Sequence, residues 1–475
     1  MDEGGKRLTR RDFLRGATLA AAGALVAACA PEPEVVTQVV KETVVVEVEA
    51  DEIVKEVEVQ KVVTATPPPE EAITLVVVHW AEAEYVDAHL VPMWEARFPN
   101  RMLDIRYTPL EGYLPKLTMA LASGDPPDVY FFTSSTGLAL AHVGAVRPLN
   151  SYMDAMGWDW GKYWPMCEKT TDIHLNGMTF GIPREILTTY VYYNMDLFDE
   201  YGVEYPTNEW TFQDMLEAAK ALTLDTNGDG ETDIFGWHCN YGSYKMTNGM
   251  RNWGSEYREI VAEDGKTFNL NTPETQEMIA FFADLILESN VCPNPELGQG
   301  ANFSDQTAAM YDTGQWHTGG LRQLPAGEKF RWGAVIACAG PEGVRSSYAD
   351  TKNWGIPMAS RYPDEAWDWV VMATSPEGIE PMITAGNFLP PFKPDTCEGF
   401  QFGEGMPEDH TPYCEGLNYA FNWPRPGEVG SRNAWDTYMG MCRVGQITPA
   451  ECLQKWAEDS QKAIDDWWAQ KTAVA

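Results

Sequence analysis

Positive charge is scarce in this sequence: 34 Lys and Arg stand against 70 Asp and Glu, for a formal net charge of −36. A field of that sign repels polyanions, which argues against nucleic acid and anionic polymers as partners and leaves small neutral or cationic ligands open. There is no CxxC pair, no Walker-type GxxxxGK[ST] loop and no GxGxxG turn, so neither a zinc knuckle nor a nucleotide-phosphate cradle is signalled. The apolar run from Ala17 to Ala28 is shorter than the roughly 20 residues a membrane-spanning helix needs. Between Ala30 and Glu71 no aromatic residue occurs, which removes that stretch from any packed core. What the chain does have is length and rings. Its 475 residues, 44% of them hydrophobic, hold more than one domain usually does, and 18 Trp with 20 Tyr serve both core packing and the stacking of sugar faces.

The first 28 residues read as an address. Thr9-Arg10-Arg11-Asp12-Phe13-Leu14-Arg15 ahead of the apolar run resembles a twin-arginine export signal, and Val26-Ala27-Ala28-Cys29 resembles a bacterial lipoprotein cleavage box. Cys29 is then the expected lipidated N-terminus. Residues 29–71, rich in Val, Glu and Pro, read as a tether that reaches on the order of 140 Å when extended.

The globular part opens on Ile73 to Val78, a continuous apolar run of the kind a buried parallel strand shows. A helix ending near Phe98, a strand Leu103 to Tyr107, a helix Tyr113 to Ala122 and a strand Asp128 to Phe132 follow, the alternation of an α/β layer. Ligands of such sheets bind at the carboxyl-end loops, here Trp80 with Glu82, and Phe132 with Ser134 and Ser135. The chain then passes through Gly177 to Asn194, where Gly177, Gly181 and Pro183 introduce an unbroken run of β-branched and aromatic residues. This reads as a strand crossing from one lobe to another, with Arg184 and Glu185 side by side at the turn before it. Further helices are expected from Trp210 to Leu222 and from Thr272, an N-cap followed by Pro273, then at Asp364 to Ala373, near Ala434 and at Pro449 to Trp468. Phe330 to Ala339 and Asn387 to Pro391 read as second and third crossings, with Trp354-Gly355-Ile356-Pro357 on the return.

In this order the chain resembles the sugar-type extracellular solute-binding proteins of bacterial ABC importers. The pieces are Ala122-Ser123-Gly124-Asp125-Pro126-Pro127-Asp128-Val129, Gly181-Ile182-Pro183 with Tyr192-Tyr193-Asn194, Trp210-Thr211-Phe212, Ala308-Ala309-Met310 with Gly314-Gln315-Trp316, and Ser375-Pro376-Glu377. The resemblance implies a two-lobed α/β fold of the type II periplasmic-binding-protein kind, residues 72–186 and 340–390 forming one lobe and 187–339 and 391–475 the other. It implies a carbohydrate ligand enclosed between them, a permease as partner and no catalysis. A saccharide needs planar aromatics with carboxylates, amides or guanidinium groups at their rims. The site expected on that basis comprises Trp80, Glu82, Phe132, Ser134, Ser135, Arg184, Glu185 and Trp354 on one side and Trp253 and Trp316 on the other. In the resembled family, positions matching Phe132 and Trp316 commonly carry stacking rings.

Other readings stay open at this point. Glu82 and Glu185 could be the carboxylate pair of an exported glycoside hydrolase, and the anchor alone fits a tethered adhesin or sensor. Asp225, Asn227, Asp229 and Asp233 have the spacing of a calcium loop, but its twelfth position is Gly236 rather than Glu, leaving a structural calcium or a plain acidic turn. Cys397/Cys414 and Cys442/Cys452 are the nearest cysteine pairs, although spacing does not fix connectivity.

Overall fold

The computed structural model describes residues 73–80, 83–171, 177–238, 249, 251–254, 260–262, 264–385, 388–422 and 427–474. Contacts group the chain into two units, one of Met1–Thr74 with Phe98–Met102 and one of Leu75–Arg97 with Leu103–Ala475. Of the first, the described residues are the opening of one strand and the turn into the next. The architecture below is that of the second.

Nine strands are found among the described residues: β1 (Ile73–His79), β2 (Arg101–Tyr107), β3 (Val129–Thr133), β4 (Ile182–Asn194), β5 (Phe235–His238), β6 (Ala308–Gly314), β7 (Trp332–Ile336), β8 (Ser347–Gly355) and β9 (Ala420–Phe421). Their order is β2-β1-β3-β8-β4-β6-β5, with β7 also on β4 and β9 on β8. The first strands match the expectation because apolar runs flanked by helices have one stable arrangement, β1 and β3 lying parallel. The helices used below are α1 (Leu110–Ser123), α2 (Ser134–His142), α3 (Phe212–Ala221), α4 (Pro273–Leu287), α5 (Trp316–Arg322), α6 (Pro363–Ala373), α7 (Glu428–Cys442) and α8 (Pro449–Val474). Thr211 caps α3 and Thr272 caps α4 through their hydroxyls.

β4 is the strand on which the rest depends. All its residues but Tyr193 are buried. Ile182 to Thr188 ladder onto β8, then Thr189 to Tyr193 onto β6 and Tyr190 to Asn194 onto β7, so one strand belongs to two sheets in succession. Asn194 ends it by turning its side-chain oxygen to the amides of Asp196 and Leu197. Two expectations change here. Arg184 and Glu185 lie inside β4 at a bulge, not in a turn before it. The return runs through all of β8, of which only the apolar end at Trp354 was read as structure; β7 stays with the far half of β4, and Leu389 bridges Ile186.

One core gathers Phe212, Met215, Trp253, Met278, Phe282, Trp435 and Trp456; another, at the strand crossing, holds Trp164, Tyr190, Tyr192, Trp332, Leu389 and Tyr413. Cys397 and Cys414 form a disulfide. Cys292 is also disulfide-bonded, whereas Cys442 and Cys452 are thiols.

Candidate functional site

Polar groups are concentrated where β4 changes partner. At Thr188 and Thr189 the backbone passes directly from β8 to β6, and side chains add bonds at the changeover. Thr188 donates its N–H to Gln315 Oε1 at 3.0 Å, and the Gln315 N–H donates to the Thr188 carbonyl at 3.2 Å. The Ser347 hydroxyl accepts from Thr188 Oγ1 at 2.7 Å and donates to the Thr189 carbonyl at 2.8 Å. All four residues are buried. These bonds are what allow so polar a node inside a core, although Gln315 Nε2 is buried there without a partner among the described residues.

Two charged clusters flank this node. At the bulge the Arg184 guanidinium meets Glu185 Oε2 at 2.6 Å, and Lys352 Nζ lies 2.9 Å from Glu185 Oε1. The two cations rest on rings, Arg184 4.3 Å from the centre of Phe131 and Lys352 4.4 Å from that of Phe388. On β8, Asp350 accepts from the Ser134 and Thr351 amides and from the Tyr348 hydroxyl, while Asn422 donates to Ser134 Oγ at 3.0 Å. Burial pushes the Asp350 carboxyl upward; the bonds from Ser134 and the charge of Arg432 oppose it.

Trp316 stands at the exit of β6, beside this belt, as the first residue of α5, and is 39% exposed. Its ring lies on Gly314, where an added Cβ would come 1.8 Å from ring carbon. Glycine there lets the indole lie flat against the strand end, and Gly314 itself pairs with Thr189.

Residues 98–394 match the family described as bacterial extracellular solute-binding protein. The chain belongs to that family. A relative from Brucella abortus, described as a binding protein, is 25% identical to this solute-binding protein over 312 residues, 61% of this chain and 70% of the relative. Among solved structures, the ABC substrate-binding protein Lmo0181 from Listeria monocytogenes, in complex with cycloalternan, superposes with a TM-score of 0.71 at 21% identity over 83% of this chain and 99% of that one. The maltose/maltodextrin-binding domain MalE from Bdellovibrio bacteriovorus, bound to maltotriose, gives 0.66 at 18% over 83% and 100%. The GacH receptor of Streptomyces glaucescens gives 0.68 at 17% over 84% and 100%. The fold is thus that of the two-lobed substrate-binding proteins.

Within this solute-binding protein the residues singled out from sequence separate sharply. Trp316, Arg184, Glu185 and Ser134 lie in or beside the belt. Trp354 is fully buried against Phe131 and Trp369, with ring centres 4.7 and 5.8 Å away, and Trp253 is buried among Phe212, Phe281 and Phe282. Trp80 packs on Tyr113 and Phe131, and Phe132 stacks on Tyr130 under Gly181 and Gly355. These four rings are core, because their faces are already covered. Glu82 and Cys29 lie outside the described residues; Ser135 occupies the first turn of α2. The belt residues that the sequence reading passed over are Gln315, Ser347, Asp350 and Lys352.

The four residues with calcium-loop spacing share one turn, in which Asn227 donates to Asp233 Oδ1 at 3.2 Å and accepts the Asp229 amide at 2.9 Å. Asp225 accepts from the amides of Gly228, Asp229 and Gly230, and Asp233 from the amide and hydroxyl of Thr226. Their carboxylates close the turn on its own backbone, and no group of three or more His, Cys, Asp or Glu suited to a metal occurs among the described residues. An open groove of about 590 Å³ lies elsewhere, lined by Trp164, Lys393, Glu398, Glu415 and Asn418 among others, and includes none of the belt.

Proposed function

We propose that this solute-binding protein captures a mono- or oligosaccharide between its lobes at the strand crossing and, held to the membrane by a lipid on Cys29, presents it to an ABC permease. The observation that carries the reading is the half-exposed Trp316 laid on Gly314 beside a buried belt of amide, hydroxyl and charged groups. An aromatic face with polar groups at its rim is the chemistry a sugar ring requires. Supporting it are the saccharides in the complexes of Lmo0181 and MalE. A binding role is favoured over glycoside hydrolysis because Glu185 gives one oxygen to Arg184 and the other to Lys352, an arrangement that holds the carboxylate in place rather than freeing it for proton transfer.

A thermal-shift screen over a saccharide panel that includes maltotriose tests the reading, since a ligand bound only by the native state raises the melting temperature. A hit is followed by chromatography of the recovered sugar. No shift with any saccharide overturns the ligand class, and cleavage of the sugar overturns the non-catalytic role.

A further inference from the structure

Two buried thiols meet where α7 ends and α8 begins, in the first of the two cores rather than at the proposed ligand site. Cys442 is the last residue of α7; Cys452 lies in the opening turn of α8, its N–H bonded to the Thr448 carbonyl. They are 1% and 0% exposed, lie in the same core and interact with each other through their side chains. That contact opposes the effect of burial at the Cys442 thiol and adds to it at Cys452. The corner between them is short. Gly445 turns it with φ +75°, its N–H on the Cys442 carbonyl, and Gly445, Gln446 and Thr448 are exposed. Elsewhere the same fold carries oxidised cysteines, Cys397 with Cys414 and Cys292 with its own partner.

We propose that Cys442 and Cys452 are the site of a further disulfide, closed by exchange with a disulfide-donating oxidant when the α7–α8 corner opens. The Cys442 thiolate attacks one sulfur of the donor and expels a thiolate, leaving a mixed disulfide on Cys442. Cys452 then loses its proton and attacks the Cys442 sulfur, expelling the second donor thiolate. The protein gives up two protons and two electrons, and the donor disulfide is reduced to two thiols. The bond ties the start of α8 to α7, and α8 carries at its far end Trp467, whose ring stacks on His142 of α2 at 4.2 Å. Because both sulfurs are covered, the rate follows local opening of the corner, not thiolate population alone.

The test uses the full-length chain incubated with glutathione disulfide, quenched by alkylation under denaturing conditions and mapped by peptide mass. Cys442 and Cys452 are expected to lose alkylation together, their linked peptides lighter by two hydrogen atoms, with a raised melting temperature. Cys452→Ser, which lacks the resolving sulfur, is expected to trap glutathione on Cys442. The melting temperature of the Cys442→Ser/Cys452→Ser protein should not respond to the oxidant. Both cysteines remaining fully alkylated after incubation just below the melting temperature, or either one linked to a different cysteine, overturns the proposal.

Discussion

Trp316 and Trp354 are the same side chain in opposite surroundings, and one substitution at each tells them apart. Trp316→Ala removes a ring that is partly solvated before any ligand arrives, so it should weaken saccharide binding by about 1.5–3 kcal/mol, roughly ten- to hundred-fold, with little loss of stability. Trp354→Ala empties a fully enclosed space between Phe131 and Trp369 and should cost about 3–5 kcal/mol of stability. Titration calorimetry beside a urea melt reads both; a Trp316→Ala protein with intact affinity removes that ring from the site. Asp350 gives a pH signature. Its carboxyl is raised by burial, so the native state holds the proton more readily than the unfolded chain. The stability this contributes is complete below the ordinary carboxylate range and is lost as pH climbs through the raised native value. Asp350→Asn abolishes that loss, so relative to wild type the variant should gain stability as pH climbs out of the ordinary carboxylate range. Parallel stability curves from urea melts over that climb would sink the assignment.

At the scale of elements, α3 owes its start to a reciprocal cap. The Thr211 hydroxyl accepts the Asp214 amide at 3.2 Å, and Asp214 accepts the Thr211 amide at 2.9 Å. Thr211→Ala should cost about 1 kcal/mol, and Thr211→Ser should restore most of it; equal melts for all three would refute the cap's contribution. Such caps are also why the helices were legible in the sequence: Thr211 before Phe212 and Thr272 before Pro273 are local signals with local causes. β1 and β3 were legible for a similar reason, being apolar on both faces. β8 was not. Ser347, Asp350, Thr351, Lys352 and Asn353 carry no apolar pattern, and the groups that satisfy them, including Thr188, Thr189, Ser134 and Glu185, come from distant segments that meet only in the fold. Arg184 and Glu185 misled in the same way, since a bulge that turns neighbouring side chains toward each other leaves no mark in composition. Of the candidate site, the half-exposed Trp316 was legible in the sequence through its neighbour Gly314. Trp80, Trp253 and Trp354 could not be sorted from it, because a ring in a core and a ring in a cleft are the same letter.

For the whole molecule the anchor is the testable part. No helix among the described residues is long and apolar enough to cross a membrane, so if the thioether at Cys29 is the tie, Cys29→Ser should appear in the soluble fraction after a carbonate wash. Retention of that variant in the membrane pellet would speak for another attachment. The proposed function carries a second whole-molecule expectation, closure on the ligand. A ligand favours a closed form only through contacts made on both sides at once, so small-angle scattering should show compaction with a binding saccharide and none with Trp316→Ala at the same concentration.

β4 also governs how the molecule could be taken apart. Its first half is the neighbour of β8 and its second half the neighbour of β6 and β7, so neither sheet is complete without the one strand. A cut that left β4 with one half would give the other a raw edge of unpaired amides and carbonyls, open to the wrong partner. The two halves are therefore not interchangeable modules. In unfolding they should lose structure together, and in any lineage built by shuffling segments the strand and both of its neighbours have to travel as one inheritance.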